Sequence, residues 1–268
     1  MAIATASLAG GAEAIWQAVV PDLPGFTVEV LEEIDSTNTE LMRRARVAAL
    51  DPVLLVAERQ TAGRGRLGRG WHSQAGQSLT FSLGLSLAPR SWSGLSLVVG
   101  LSLAEQLHAD VRLKWPNDLW LMGRKLGGIL VETAGHADER EGPRSVVIGV
   151  GINVARPAEA ALANAPAGPM GAMPPAGLAE VEMGVTAAEL LPRLVPPLVR
   201  DVQCFVAEGF APFASRYAAR DALRDRELRL SDGTTGTACG VAEDGALLVQ
   251  SDGQLRRVDS AEVSVRPC

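Results

Sequence analysis

Apolar and polar positions along this chain follow two periods, and the points where one gives way to the other outline its elements. Thr27 to Leu31 and Val53 to Ala57 are short aliphatic runs that read as strands. Ser78 to Leu87 alternates, with Leu79, Phe81, Leu83, Leu85 and Leu87 in one set, which predicts a strand with one buried face. Asp35-Ser-Thr-Asn38 supplies capping residues ahead of a helical pattern reaching about Leu50. Trp92 to His108 predicts a helix with a long apolar face, and a shorter one is expected near Glu13 to Val20.

A short strand from Val111 ends at Pro116, which cannot donate to a ladder, so Asn117 and Asp118 are displayed at its end. Leu119 to Met122 and Leu126 to Glu132 then form a hairpin across Gly123-Arg124, with Lys125 opening the second strand. Asp118 and Lys125 therefore flank the same hairpin. Gly127-Gly128 weakens that strand and marks close approach by a ligand or another backbone. Ser145 to Val150 is a buried strand running into Gly151-Ile-Asn-Val154. Arg156 to Glu180, rich in alanine, proline and glycine, reads as a long loop inserted outside any site. Two helices follow, Thr186 to Glu208 and Ala211 to Ala222, the first broken up by Pro192, Pro196 and Pro197. From about Arg226, short strands between Asp-Gly turns at Asp232, Asp244 and Asp252 predict a small barrel.

The loop between the strands at Val53 and Ser78 stands apart. Gln60 to Trp71 packs four glycines and three arginines into twelve residues. Glycine lets backbone approach a ligand closely, and arginine offers a permanently charged planar fork for carboxylates and phosphates. The combination predicts a flexible cationic strap that holds an anion. Gly63-Arg-Gly-Arg-Leu-Gly68 fits the dinucleotide-binding spacing, but that motif needs a helix directly after it, and here the loop continues through Trp71 to Gly76. An Arg-Gly RNA-binding tail is also a poor match, because this segment lies between two strands.

Composition sharpens the picture. The chain has 268 residues and a net charge of −6, so it does not read as a nucleic-acid binder and its arginine loop is a local device. Cys204, Cys239 and Cys268 form no metal or disulfide spacing and fit a reducing compartment. Met1 to Gly11 carries no basic residue, and the longest apolar stretch, near Gly94 to Ala104, is too short for a membrane span; a cytoplasmic location is expected. Of the 25 basic residues only Lys114 and Lys125 are lysines, which suggests positions where a compact ammonium is wanted in place of arginine's wide fork. Phosphate-binding P-loops, zinc-protease helices, nucleophile elbows and metal spacings are all missing from the sequence. What remains suits chemistry run by holding anions and neutralising charge.

Five clusters together resemble biotin protein ligases: Asp35-Ser-Thr-Asn38, Gln60 with Gly63 to Trp71, Lys114-Trp-Pro-Asn-Asp118, Lys125-Leu-Gly-Gly-Ile-Leu130, and Gly149-Val-Gly-Ile-Asn153. They occur in family order and the resemblance runs from about residue 25 into the C-terminal barrel. It implies an α+β fold, a mixed sheet backed by helices with an SH3-like barrel after it. The expected organisation is an N-terminal extension over 1–24, a catalytic domain over 25–222 and the barrel over 223–268. It also implies the minimal class, without a DNA-binding domain.

The implied reaction activates biotin with ATP and Mg2+ as biotinyl-5′-AMP, then transfers it to a lysine of a biotin carboxyl carrier protein. Ser36, Thr37, Asn38, Gln60 and Gly63 would bind biotin's polar ring and nearby groups. Arg64, Gly65 and Arg66 would hold carboxylate and phosphate, in a loop that orders when ligand arrives. Lys125 would neutralise the reacting oxygens, while Asp118 orients or deprotonates the incoming lysine and Lys114 supports the adenylate. Arg66, Arg69, Trp71, Asn117 and Asn153 would contact the nucleotide, and no resident metal site is expected. Leu67 departs from the basic residue many members carry there. Partners are the carrier domain and the small substrates, with neither nucleic acid nor membrane, and the family includes monomers and homodimers. A lipoate ligase of the same superfamily, a biotin-sensing repressor and a binding module without turnover are the alternative readings.

Overall fold

The structure is a computed structural model that describes residues 8–134, 142–158, 174–259 and 265–267. Its framework is a seven-stranded sheet. In chain order the strands are β1 (Thr27–Ile34), β2 (Val53–Gln60), the short pair β3 (Gly63–Arg64) and β4 (Gly70–Trp71), β5 (Ser78–Leu87), β6 (Val111–Lys114), β7 (Asp118–Leu121), β8 (Arg124–Ala134) and β9 (Arg144–Asn153). The large sheet has the order β1-β2-β5-β9-β8-β7-β6. β1 runs parallel to β2 and every other neighbouring pair is antiparallel, so the sheet is mixed, as expected.

Alternation along the central strands gives the sheet two unlike faces. Leu79, Phe81, Leu83 and Leu85 of β5 join Val146, Ile148, Val150 and Ile152 of β9 in one core, together with residues of α1 (Leu8–Val19), α3 (Leu95–Leu107) and α4 (Ala187–Glu208). Ile15 and Val19 of α1 are fully buried there. On the other face α2 (Thr37–Ala45) packs Leu41 and Met42 against Val53, Leu55 and Val147 in a smaller cluster.

Two helix expectations change. α4 runs unbroken for 22 residues through Pro192, Pro196 and Pro197. Its buried stripe of Leu190, Leu191, Leu194, Val195, Leu198, Val199, Val202 and Phe205 repeats at three- and four-residue steps, and burying it outweighs the lost backbone donors. The Thr186–Glu189 capping box fixes its start. The helix expected over Ala211 to Ala222 shrinks to α5 (Ala214–Ala218) after a 3₁₀ turn. Beyond it the chain joins the sheet edge instead, with Leu113 N–H donating to Arg220 O and Ala222 N–H to Leu113 O. α2 also stops short of Leu50, whose N–H is taken by Ser145 Oγ at 3.1 Å.

The C-terminal segment forms β10 (Glu227–Leu230), β11 (Thr235–Val241), β12 (Leu247–Ser251), β13 (Gln254–Val258) and β14 (Val265–Pro267), an antiparallel sheet of order β13-β12-β11-β10-β14. This is the small sheet expected of an SH3-like unit, although no β13–β14 pairing closes it into a barrel among the described residues. Its turns fall at the expected Asp-Gly pairs, with Asp252 and Gly253 both at positive φ in a two-residue hairpin. Leu228, Leu230, Ala238, Leu247 and Val249 belong to the same core as the large sheet. Trp115, at the end of β6, donates its indole N–H to Gly245 O at 3.1 Å, tying the two sheets together directly behind the site.

Candidate functional site

The site begins with a strip of sheet that has almost no side chains. Ser78, Thr80 and Ser82 of β5 lie opposite Asn153, Gly151 and Gly149 of β9, which in turn face Gly128 and Leu130 of β8. Antiparallel partners share a face, so these residues form one small, polar trough beside α2. Close approach requires its glycines. A Cβ at Gly149 would sit 2.1 Å from Asn38 Oδ1, and one at Gly151 would sit 2.4 Å from the Trp71 ring. Asn38 and Trp71 thus rest directly on the floor.

One end of the trough is a buried hydrogen-bond cluster at the start of α2. Ser36 is its N-cap, accepting from Thr39 N–H at 3.3 Å. Capping therefore uses one of the three candidate side chains, and the other two turn to the sheet. Thr37 donates from N–H and Oγ1 to Gln60 Oε1 at 2.7 and 3.0 Å. Ser82 Oγ lies 2.7 Å from both Thr37 Oγ1 and Asn38 Oδ1, and Asn38 Nδ2 donates to Glu132 Oε2 at 2.9 Å. Gln60 N–H is held by Ser73 Oγ at 3.1 Å. Ser73, Ser82 and Glu132 belong to no sequence motif. The signal for Ser82 lay in β5 itself: the set of residues opposite the leucines carries hydroxyls yet is equally buried, with Ser82 at 0% exposure. A buried strand face made of hydroxyls needs polar company.

The arginine loop carries a short pairing of its own. β3 and β4 pair as a minute hairpin, Gly63 with Trp71 and Arg64 with Gly70, and Gly65 N–H donates to Arg69 O at 2.7 Å. The turn at its tip places Leu67 at φ 56° and Gly68 at φ 71°. This hairpin sends two arginines in different directions. Arg64 reaches back to Glu132 Oε1 at 3.3 Å, at the Asn38 end. Arg66 reaches Asn117 Oδ1 at 3.4 Å, at the other end, and is half-buried; burial lowers its pKa, against the raising effect of the Asp118 charge. Arg69 is exposed, and its charge also lowers the Arg66 pKa. Trp71 lies between the two ends with its indole N–H buried and without a hydrogen-bond partner.

The second end is built on the β6–β7–β8 hairpins. Lys114 pairs across the ladder with Asp118, and Asp118 with Gly128. Lys125 Nζ lies 2.7 Å from Asp118 Oδ1, and Lys114 Nζ lies 4.0 Å from Asp118 Oδ2 while sitting 5.2 Å from the Trp120 ring centre. Asn117 is locked by bonds to Ile129 in both directions, at 2.8 Å from its Nδ2 and 2.9 Å to its carbonyl. Asn153 donates to Ala176 O at 3.1 Å, and Ala176 N–H donates to Lys125 O at 2.9 Å. So the end of the supposed insertion is part of the site's wall. The middle of that insertion, 159–173, lies outside the described residues.

The sequence candidates thus separate into two groups on one trough. Ser36, Thr37, Asn38, Gln60, Gly63 and Arg64 gather at the α2 end. Arg66, Asn117, Asp118, Lys114 and Lys125 gather at the hairpin end, with Trp71 and Asn153 on the strip joining them. The first end offers neutral amides and hydroxyls beside the mutually paired Arg64 and Glu132, and the second offers three cations around one carboxylate. Such a trough can take an elongated ligand with a polar uncharged head and an anionic tail, and can stabilise negative charge developing at the tail. Among the described residues no group of three or more His, Cys, Asp or Glu is placed to hold a metal ion.

Comparison with known proteins bears on the same residues. A family model described as the biotin/lipoate A/B protein ligase family matches residues 30–153, and one described as the biotin protein ligase C-terminal domain matches 227–266. The chain is 37% identical to the bifunctional ligase/repressor BirA of Escherichia coli strain K12, over 92% of this chain and 77% of that one. It is 32% identical to the biotin–[acetyl-CoA-carboxylase] ligase of Paracoccus denitrificans, covering 87% of this chain and 98% of that one. In structure it is similar to the biotin protein ligase of Aquifex aeolicus solved with biotin and ATP, with a TM-score of 0.70 and 29% identity over 90% of this chain and 99% of the other.

Proposed function

The chain belongs to the biotin/lipoate A/B protein ligase family, and from that premise we propose how its trough performs biotin ligation. Biotin spans the trough beside Asn38 and Trp71, its cyclic urea at the Thr37–Asn38–Gln60 end and its carboxylate at the Lys125–Arg66 end. ATP, brought in with Mg2+ on its phosphates, binds beside Asn117, Asn153 and Trp71, where the buried indole N–H still lacks an acceptor. A biotin carboxylate oxygen attacks the α-phosphorus; the new O–P bond forms as the bond to pyrophosphate breaks, giving biotinyl-5′-AMP. In the second step the amine of an acceptor lysine attacks the acyl carbon. The C–N bond forms, the C–O bond to AMP breaks, and the proton released by the nitrogen passes to Asp118.

Arg66, Lys125 and Lys114 supply the fixed positive charge that both steps need, since each builds negative charge on phosphate or acyl oxygens. Asp118 orients the acceptor lysine or deprotonates it, which frees the amine to attack. The natural acceptor of such chemistry is a biotin carboxyl carrier domain. Arg64, which sits with Glu132 and Asn38, is assigned to the urea end and not to the carboxylate. The free thiols of Cys204 and Cys239 fit a cytoplasmic setting, and no described helix is long and apolar enough to cross a membrane. We divide the chain into an N-terminal extension over 1–24, a catalytic domain over 25–222 and the small sheet over 223–268.

The observation that carries this reading is the placement of the Thr37–Asn38–Gln60 amides and hydroxyls at one end of a strip of mostly small residues and of the Arg66–Lys114–Lys125 cluster at the other. ATP–pyrophosphate exchange tests it, with biotin, lipoate or octanoate offered as sole acid. Exchange is expected with biotin; exchange with lipoate instead would keep the fold and overturn the substrate. Folded protein that exchanges with none of the three would refute the ligase reading.

A further inference from the structure

No motif includes Glu132, yet it touches both halves of the urea end. Its two oxygens are divided: Oε2 accepts from Asn38 Nδ2 at 2.9 Å, and Oε1 accepts from Arg64 Nη2 at 3.3 Å. Asn38 comes from α2, Arg64 from the arginine hairpin and Glu132 from β8, so this carboxylate joins three separate elements. Its side chain is 23% exposed, against 48% for Arg64. An exposed ion pair of this kind adds little to stability, so its geometry is the informative feature.

We propose that Glu132 is a positioning residue of the biotin site, which orients the Asn38 amide and latches the arginine hairpin over the trough through Arg64. The chemistry demands a carboxylate. An ionised carboxylate only accepts, so it must face the Nδ2 end of Asn38, and this leaves Oδ1 turned to Ser82. The same group must also accept from a guanidinium on its second oxygen. In this divided geometry a glutamine of equal size would turn its NH2 towards either Asn38 Nδ2 or Arg64 Nη2, setting donor against donor on one side. Glu132 thereby couples the pocket that reads the head of the ligand to the loop that covers it. This inference rests on the biotin reading of that end of the trough.

The test is Glu132→Gln in the full chain, read in two ways. In biotin-dependent ATP–pyrophosphate exchange, the KM for biotin rises on the order of tenfold while kcat and the KM for ATP stay within about twofold. In limited trypsin digestion without ligand, cleavage after Arg64, Arg66 and Arg69 accelerates severalfold, because the hairpin has lost its latch. Arg64→Ala gives the same pattern, and adding it to Glu132→Gln produces less than the product of the separate effects. A biotin KM unchanged by Glu132→Gln in an enzyme that exchanges would overturn the inference. If the wild type does not exchange with biotin, the substrate reading has failed, and trypsin sensitivity unchanged by the substitution would then overturn the latch on its own.

Discussion

Lys125 Nζ stands 2.7 Å from Asp118 Oδ1, and the chain's only other lysine, Lys114, stands 4.0 Å from Asp118 Oδ2. A sequence that uses arginine for every other basic residue has placed both lysines on one carboxylate. The Lys125 side chain is 43% exposed, so as a stabilising contact the pair is worth about 1 kcal/mol or less. Its value lies in the ammonium groups it holds ready. A compact ammonium can leave Asp118 for an arriving carboxylate or phosphate oxygen without moving a planar fork.

Lys125→Ala is therefore expected to slow biotin-dependent pyrophosphate exchange more than about tenfold, with the unfolding midpoint nearly unchanged. A wild-type exchange rate in this variant would take Lys125 out of the site.

Arg66 carries a stronger constraint. It is half-buried against Asn117, and burial depresses its pKa without discharging a guanidinium. Arg66→Ala should reduce adenylate formation or retention by more than about tenfold, because a charge-assisted contact is lost. Arg66→Lys should recover only part of it, since the ammonium lacks the fork. Single-turnover formation and release of biotinyl-5′-AMP measures both; alanine and wild type behaving alike would refute the assignment.

Gly149→Ala tests the floor of the trough. The new methyl would lie 2.1 Å from Asn38 Oδ1, so the amide must move and with it the bond to Ser82. We expect stability to fall by roughly 1–3 kcal/mol and biotin binding to be lost. Urea denaturation and calorimetric titration with biotin would read these, and tight biotin binding by the variant would contradict the placement of Asn38.

Glu180 gives a pH prediction at the wall of the site. Arg124 Nη2 lies 2.6 Å from its carboxylate, and Gly177 N–H also donates to it, which together hold its pKa below the ordinary glutamate value. A folded pKa below the unfolded one means the contribution is complete above the unfolded value, about 4.3, and is lost as pH falls through the folded one. Glu180→Gln should therefore lower stability near neutral pH and flatten its decline below about pH 4.3. Urea midpoints across that range, compared with wild type, decide it; parallel curves would remove Glu180 from the acid response.

The sequence by itself determined the strands, the capping residues and the two clusters rich in glycine, lysine and arginine, because these depend on local rules. Alternation in Ser78 to Leu87 requires a strand with two unlike faces, Ser36 caps whatever helix follows it, and Asp252-Gly253 turns tightly wherever it occurs. Five motifs in order also carried the family.

What local rules could not reach was decided by packing and register. Three prolines stay inside α4 because a long buried stripe outweighs three missing donors. The helix after Ala211 ends early because its backbone finds partners on β6. Arg64 and Arg66, two residues apart and alike in sequence, go to opposite ends of the trough because the β3–β4 pairing turns the chain between them. Ser82 and Glu132 join the site only because the sheet lays β5 and β8 on either side of β9, within reach of α2. Such contacts span tens of residues of chain, and no local pattern encodes them.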